Sequence, residues 1–79
     1  AEQGNAQAQV DLGMMYNFGQ GVAWDPVKAH MWYNIAAANG ISAAPSFRDV
    51  LEKSMLKRDI SEAQRRARVC LASNYQDCE

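Results

Sequence analysis

Apolar positions along the 79-residue chain recur at helical spacing in four stretches, which predict helices over about 6–18, 26–39, 43–54 and 57–72. In the first, Ala8, Leu12 and Tyr16 fall four residues apart and share one face. In the second, Ala29, Trp32, Tyr33, Ala36 and Ala37 set large aromatics beside small alanines. These two faces are expected to pack on each other. A glycine inside a helix costs about 1 kcal/mol relative to alanine, so Gly13 is expected to lie under the ring of Trp32 or Tyr33, on bare backbone. Asp25 and Pro26 supply a side-chain N-cap and a proline at the first helical position, and Gly40 supplies the residue that ends the helix. Gly19 and Gly21, on either side of Gln20, form the turn between the two helices. Leu12 to Gly40 therefore reads as a helical hairpin on which the rest of the chain packs.

The second half repeats the pattern less cleanly. Ser42 is placed to cap the third helix, and Pro45 falls in its first turn, where proline is tolerated. Phe47, Val50, Leu51 and Ser54 or Met55 mark one face, with Arg48, Asp49, Glu52 and Lys53 mostly outside it. On the fourth helix Ile60, Ala63, Ala67, Cys70 and Leu71 are expected inward. Glu62 precedes Arg65 and Arg66 at helical pairing distance, in the favourable acid-before-base order. Trp24, just before the Asp25 cap, either staples the helix start or stands exposed as a contact residue, and the pattern leaves both open.

One run of residues carries a family resemblance. It comprises Ala1 to Ala6, then Ala8, Leu12-Gly13, Tyr16, Gly19-Gln20-Gly21-Val22, Asp25, Lys28-Ala29, Trp32-Tyr33, Ala36-Ala37 and Gly40. In this register the first half of the chain, residues 1–40, resembles one complete SEL-one-like repeat, the tetratricopeptide-like helical hairpin. Residues 41–79 resemble the closing repeat of that family through Arg48-Asp49, Met55, Ile60 and Glu62-Ala63-Gln64. The resemblance implies an all-α fold, an α-solenoid of two antiparallel hairpins with the second as a C-terminal cap and tail. It also implies a non-catalytic protein–protein interaction or scaffold module whose partner is another protein or peptide; the alternative is a purely structural cap. Gly4 and Gly40 occupy corresponding places 36 residues apart, so the chain is expected to be a fragment or processed end of a longer array, from a bacterial parent. The groove beside Gln7, Val10, Asp11, Met14 and Asn17 is the expected partner surface. Val10 and Met14 are apolar and lie away from the Leu12 and Tyr16 face. Without an upstream repeat to cover them, they predict a homodimer through the N-terminal edge.

Composition narrows the function classes. A net charge of −1 gives no general attraction to nucleic acid or anionic membranes. No apolar run approaches the roughly 20 residues that span a bilayer, and no signal-peptide pattern is present. Arg65, Arg66 and Arg68 could suggest a basic patch, but Asp59 and Glu62 beside them indicate a solvated face. The lone histidine, His30, and two thiols cannot complete a tetrahedral metal site, so no metal or cofactor is expected. His30 itself is expected at the surface or an edge. Ser54-Met55-Leu56-Lys57 fits the S-x-x-K spacing of penicillin-recognising serine enzymes, and cysteine-rich relatives of the repeat family have been linked to β-lactam hydrolysis. No S-D-N or K-T-G element accompanies it, so catalysis ranks last. A bridge between Cys70 and Cys78 would contribute roughly 2.5 kcal/mol in the chain-entropy picture and would place the chain in an oxidising compartment, periplasmic or secreted. The alternative is a buried Cys70 and a free Cys78, in a cytoplasmic protein.

Overall fold

The computed structural model describes residues 6–76 and Cys78. Within them lie α1 (Ala6–Phe18), α2 (Pro26–Ala38), α3 (Ala44–Glu52) and α4 (Lys57–Ala72), and no strand. The all-α, four-helix architecture expected from the sequence is present. Its organising element is α2, against which α1, α3 and α4 each pack; α3 and α4 lean on α2 more than on each other. The reason is compositional. Ala29, His30, Met31, Trp32, Tyr33, Ile35 and Ala36 are all buried, so α2 is covered around most of its circumference, as befits a helix that is apolar on most sides.

Three clusters divide that circumference. Met31, Trp32 and Ile35 meet Ala67 and Cys70 of α4, with Leu12 and Tyr16 of α1 packed alongside. Ala36 meets Val10 of α1 and Ala44 of α3, joined by Met14, Ala37 and Ile41. Ala29 and Tyr33 meet Leu51 of α3, joined by Met14, Tyr16 and Met55. Small residues on α2 admit the neighbouring helices closely, while its aromatics fill the space between them.

Local signals explain where the helices begin and stop. The Asp25 carboxylate accepts from the Lys28 N–H at 3.1 Å, and Pro26 opens the helix behind it. At the other end the Gly40 N–H bonds to the Ala37 carbonyl and the Ile41 N–H to the Ala36 carbonyl, both at 3.1 Å. This is a Schellman closure, with Gly40 at φ 98° as its left-handed residue. Ile41 then packs back beside Ala36 and Ala37. Gly13 plays a different part, since a Cβ there would sit 2.7 Å from two ring carbons of Tyr33. The ring resting on the bare backbone is therefore Tyr33.

The end of α4 uses the same closure without glycine. The Asn74 N–H bonds to Leu71 at 3.2 Å and the Tyr75 N–H to Cys70 at 2.8 Å. Asn74 takes φ 56°, and Tyr75 follows at φ 67°. Asparagine tolerates that region, but a residue with a full side chain is held there at a cost of about 1–3 kcal/mol. Cys70 and Cys78 form a disulfide, with their Cα atoms 4.3 Å apart, and Tyr75 and Cys78 pack on the cluster that contains Trp32.

Several expectations are corrected. Ser42 lies outside α3, which starts after Ala43 with no side-chain cap, and α3 ends at Glu52 rather than near 54. Val50 and Leu71 were expected inward, yet Val50 is 67 % exposed and Leu71 is exposed as well. Trp24 stands exposed. Val10 was expected on an uncovered face but is buried against Ala36 and Ala44. The chain downstream of α2 folds back and does what a preceding repeat was expected to do. The apolar contact proposed for a homodimer through the N-terminal edge thus loses its anchor. His30, expected at the surface, is fully buried.

Candidate protein interface

The seam where α1 and α3 meet over α2 is built around Tyr33. Its ring lies against Gly13 of α1 and 5.8 Å from the Phe47 ring of α3, tilted by 41°, within the range of favourable aromatic pairs. Its hydroxyl accepts from Asn17 Nδ2 at 3.3 Å. Burial pushes the Tyr33 phenol above its ordinary pKa, and the bond from Asn17 pulls the other way. Tyr33 therefore stays neutral and acts as the floor of the seam. Met14 packs from the α1 side and Leu51 and Met55 from the α3 side. At the rim Phe47 remains 36 % exposed, and Val50, one helical turn on, presents its side chain to solvent.

Polar groups fix α3 in place beside this apolar strip. His30 Nε2 lies 2.5 Å from Glu52 Oε2. Arg48 Nη1 donates to Asn34 Oδ1 at 2.8 Å, and Arg48 Nε lies 3.9 Å from the same Glu52 oxygen. Four polar or charged side chains, His30 and Asn34 of α2 with Arg48 and Glu52 of α3, thus tie the two helices together. Arg48 and Glu52, placed outside the apolar face of the third helix by the sequence pattern, face α2.

The five residues expected to bind a partner separate into three groups. Met14 and Asn17 lie at the seam. Gln7 and Asp11 are on the exposed face of α1, where Gln7 Nε2 donates to Asp11 Oδ1 at 3.2 Å. Val10 belongs to the core. The positions expected to hold the hairpin together are spread through the same elements. Leu12 and Tyr16 pack toward α4, and Gly19 and Gly21 turn the chain with positive φ. Asp25 and Gly40 close the two ends of α2, and Ala29, Trp32 and Ala36 are buried along it.

The remaining chemical candidates lie elsewhere. The Ser54 hydroxyl donates to the Leu51 carbonyl at 3.0 Å, closing the C-terminal turn of α3. Lys57, exposed, begins α4. On α4 the Glu62 carboxylate accepts from Arg65 at 3.1 and 2.6 Å and from Arg66 at 2.8 Å. Those bonds, Arg65 first, hold its carboxyl down to about 2. This is the paired, solvated face expected of Glu62, Arg65 and Arg66.

One node escaped sequence reasoning. Asn39 uses its two amide hydrogens to reach Gln9 Oε1 at 2.9 Å and the Tyr75 hydroxyl at 2.8 Å, so it joins α1, the end of α2 and the tail. The available signal was Gln9 itself, one turn before Gly13 on the same face of α1.

A central helix with antiparallel neighbours joined by short glycine turns defines a helical-repeat domain. Residues 6–41 match the family model of the Sel1 repeat, so the first half of the chain carries a Sel1-like repeat. That span runs from the start of α1 to the Schellman residue Ile41 and so includes the whole first hairpin. Comparison with curated proteins gave no significant match. Sel1 repeats are protein-interaction modules, so this is a helical repeat of the interaction type. No helix among the described residues is long and apolar enough to cross a membrane.

Proposed function

We propose that the chain is a non-catalytic scaffold module and that its partner surface is the α1–α3 seam, lined by Met14, Asn17, Phe47 and Val50 and flanked by Gln7 and Asp11. The observation that carries this reading is the exposure of Phe47 and Val50 beside a fully formed core. Apolar anchors on a rigid floor, with amide groups at the rim, suit an extended or helical peptide segment bearing one or two apolar side chains. Such a partner gains from burying Phe47 and Val50, while Asn17 and Gln7 offer hydrogen bonds that set its register. The bonded cysteines fit a bacterial parent that exports the protein to an oxidising compartment, periplasmic or secreted. A second reading, in which residues 41–79 only close a repeat array, draws support from the charged outer side of α4 at Glu62, Arg65 and Arg66.

The test is selection of binders from a random peptide display library, followed by affinity measurements on variants. Val50→Glu alters an exposed side chain and is expected to leave folding intact; Phe47→Ser removes a ring that packs on Tyr33, so its affinity is read on protein shown to be folded by circular dichroism. Selected peptides should lose at least about tenfold in affinity for both, equivalent to roughly 1.4 kcal/mol. Leu71→Ser, on α4, should leave affinity unchanged. Peptides that ignore the two α3 substitutions and respond to Leu71→Ser would move the partner surface to α4.

A further inference from the structure

The tail beyond α4 is held down more firmly than a chain end requires. Tyr75 sits in a left-handed conformation that a bulky side chain rarely adopts. It bonds through its hydroxyl to Asn39, and with Cys78 it covers a cluster whose members Met31, Trp32, Ile35, Ala67 and Cys70 are almost wholly buried. Leu12 and Tyr16 of α1 border the same cluster. Beneath this cover the Trp32 indole N–H is buried without an acceptor among the described residues, although an indole in a closed core ordinarily finds one. The Cys78 end of the disulfide is partly exposed, whereas Cys70 is fully buried. A reductant can therefore reach the bond from the tail side.

We propose that the Cys70–Cys78 bond is the catch of a redox-operated strap. Oxidised, residues 73–76 and Cys78 close the apolar face of Leu12, Tyr16, Trp32 and Ile35; reduced, the strap lifts and the four helices stay folded. The strap is distinct from the α1–α3 seam, since Tyr75 is not part of the cluster around Tyr33, although Tyr16 borders both. The chemistry is dithiol–disulfide exchange. A thiolate of an external dithiol attacks the Cys78 sulfur, the Cys70 sulfur leaves as a thiolate and takes a proton, and the second thiol of the dithiol then displaces Cys78. Two electrons and two protons pass to the protein, and the dithiol becomes a disulfide. Once the catch opens, the left-handed backbone at Tyr75 favours release. Ala63 and Ala67, buried along α4, still hold that helix to the core without help from Cys78.

Trp32 reports the event directly, because the other tryptophan, Trp24, is exposed and can be replaced. In a Trp24→Phe background, fluorescence, acrylamide quenching and far-ultraviolet circular dichroism are followed through cycles of reduced and oxidised dithiothreitol. Reduction should shift Trp32 emission to the red and raise its quenching with helicity unchanged, and reoxidation should reverse both. Cys78→Ser, which leaves the buried Cys70 in place, should show the open signature in either buffer. Identical Trp32 emission in both redox states would overturn the proposal, since the strap would then stay down unaided. Loss of helicity together with the red shift would also overturn it, since the bond would then be a staple for the fold.

Discussion

Gly13→Ala should destabilise the domain by about 1–3 kcal/mol, although alanine is the better helix former by about 1 kcal/mol. The two effects oppose each other, and packing wins because the new Cβ would meet two Tyr33 ring carbons at 2.7 Å. That ring has nowhere to retreat. It is 1 % exposed and is confined on its other side by Phe47 and Leu51. Gly13→Leu, which adds three more carbons at the same spot, should prevent α1 from docking. Thermal and urea unfolding followed by circular dichroism measures both variants. A Gly13→Ala protein that melts higher than wild type would show that helix propensity dominates and that the ring yields easily.

Tyr33→Ala should be the costliest single truncation at the seam, about 3–5 kcal/mol. A domain of this length has on the order of 4–12 kcal/mol in total at the usual per-residue stability. Much of the folded population is therefore expected to be lost. The ring fills the space shared by α1, α2 and α3, so its removal leaves a cavity that no one helix can collapse. Tyr33→Phe keeps the ring and removes only the hydroxyl bonded to Asn17, a loss of about 0.5–1.5 kcal/mol. Chemical denaturation distinguishes the ring from the hydroxyl. Equal losses for the two variants would mean that the hydrogen bond, and not the packing, holds the seam.

What could be read from the sequence followed the range of each signal. Asp25-Pro26 and Gly40 act within four residues, so the limits of α2 were legible; the strong periodicity of α4 gave its span, and α1 was read from the spacing of Ala8, Leu12 and Tyr16 and the glycine turn after it. Gly13 announced a close approach, but spacing alone could not choose between Trp32 and Tyr33, which differ by about 100° around the helix. Two of the misplaced residues, Val10 and His30, depend on distant partners. Val10 lies on a different side of α1 from Leu12. A helical pattern cannot reveal that Ile41 and Ala44 return to cover it. His30 had no partner suggested by the sequence, because Glu52 lies 22 residues away. Asn39, Gln9 and Tyr75 are ordinary polar surface types, brought together only when the tail folds back over α2. The cysteine pair was legible because the eight-residue separation is short. The left-handed path that lays Tyr75 over the Trp32 cluster was not.

The central claim is that α2 is the shared spine of the domain and that the other three helices, with the seam between α1 and α3, depend on it. Native-state hydrogen exchange across the 79-residue chain tests this most directly, because amides that open only on global unfolding mark the last element to come apart. The account predicts that the α2 amides from His30 to Ala36 are the slowest to exchange, with α3 and the outer turns of α4 opening earlier. Slower exchange in α4 than in α2, or release of α2 with α1 while α3 and α4 stay protected, would contradict it.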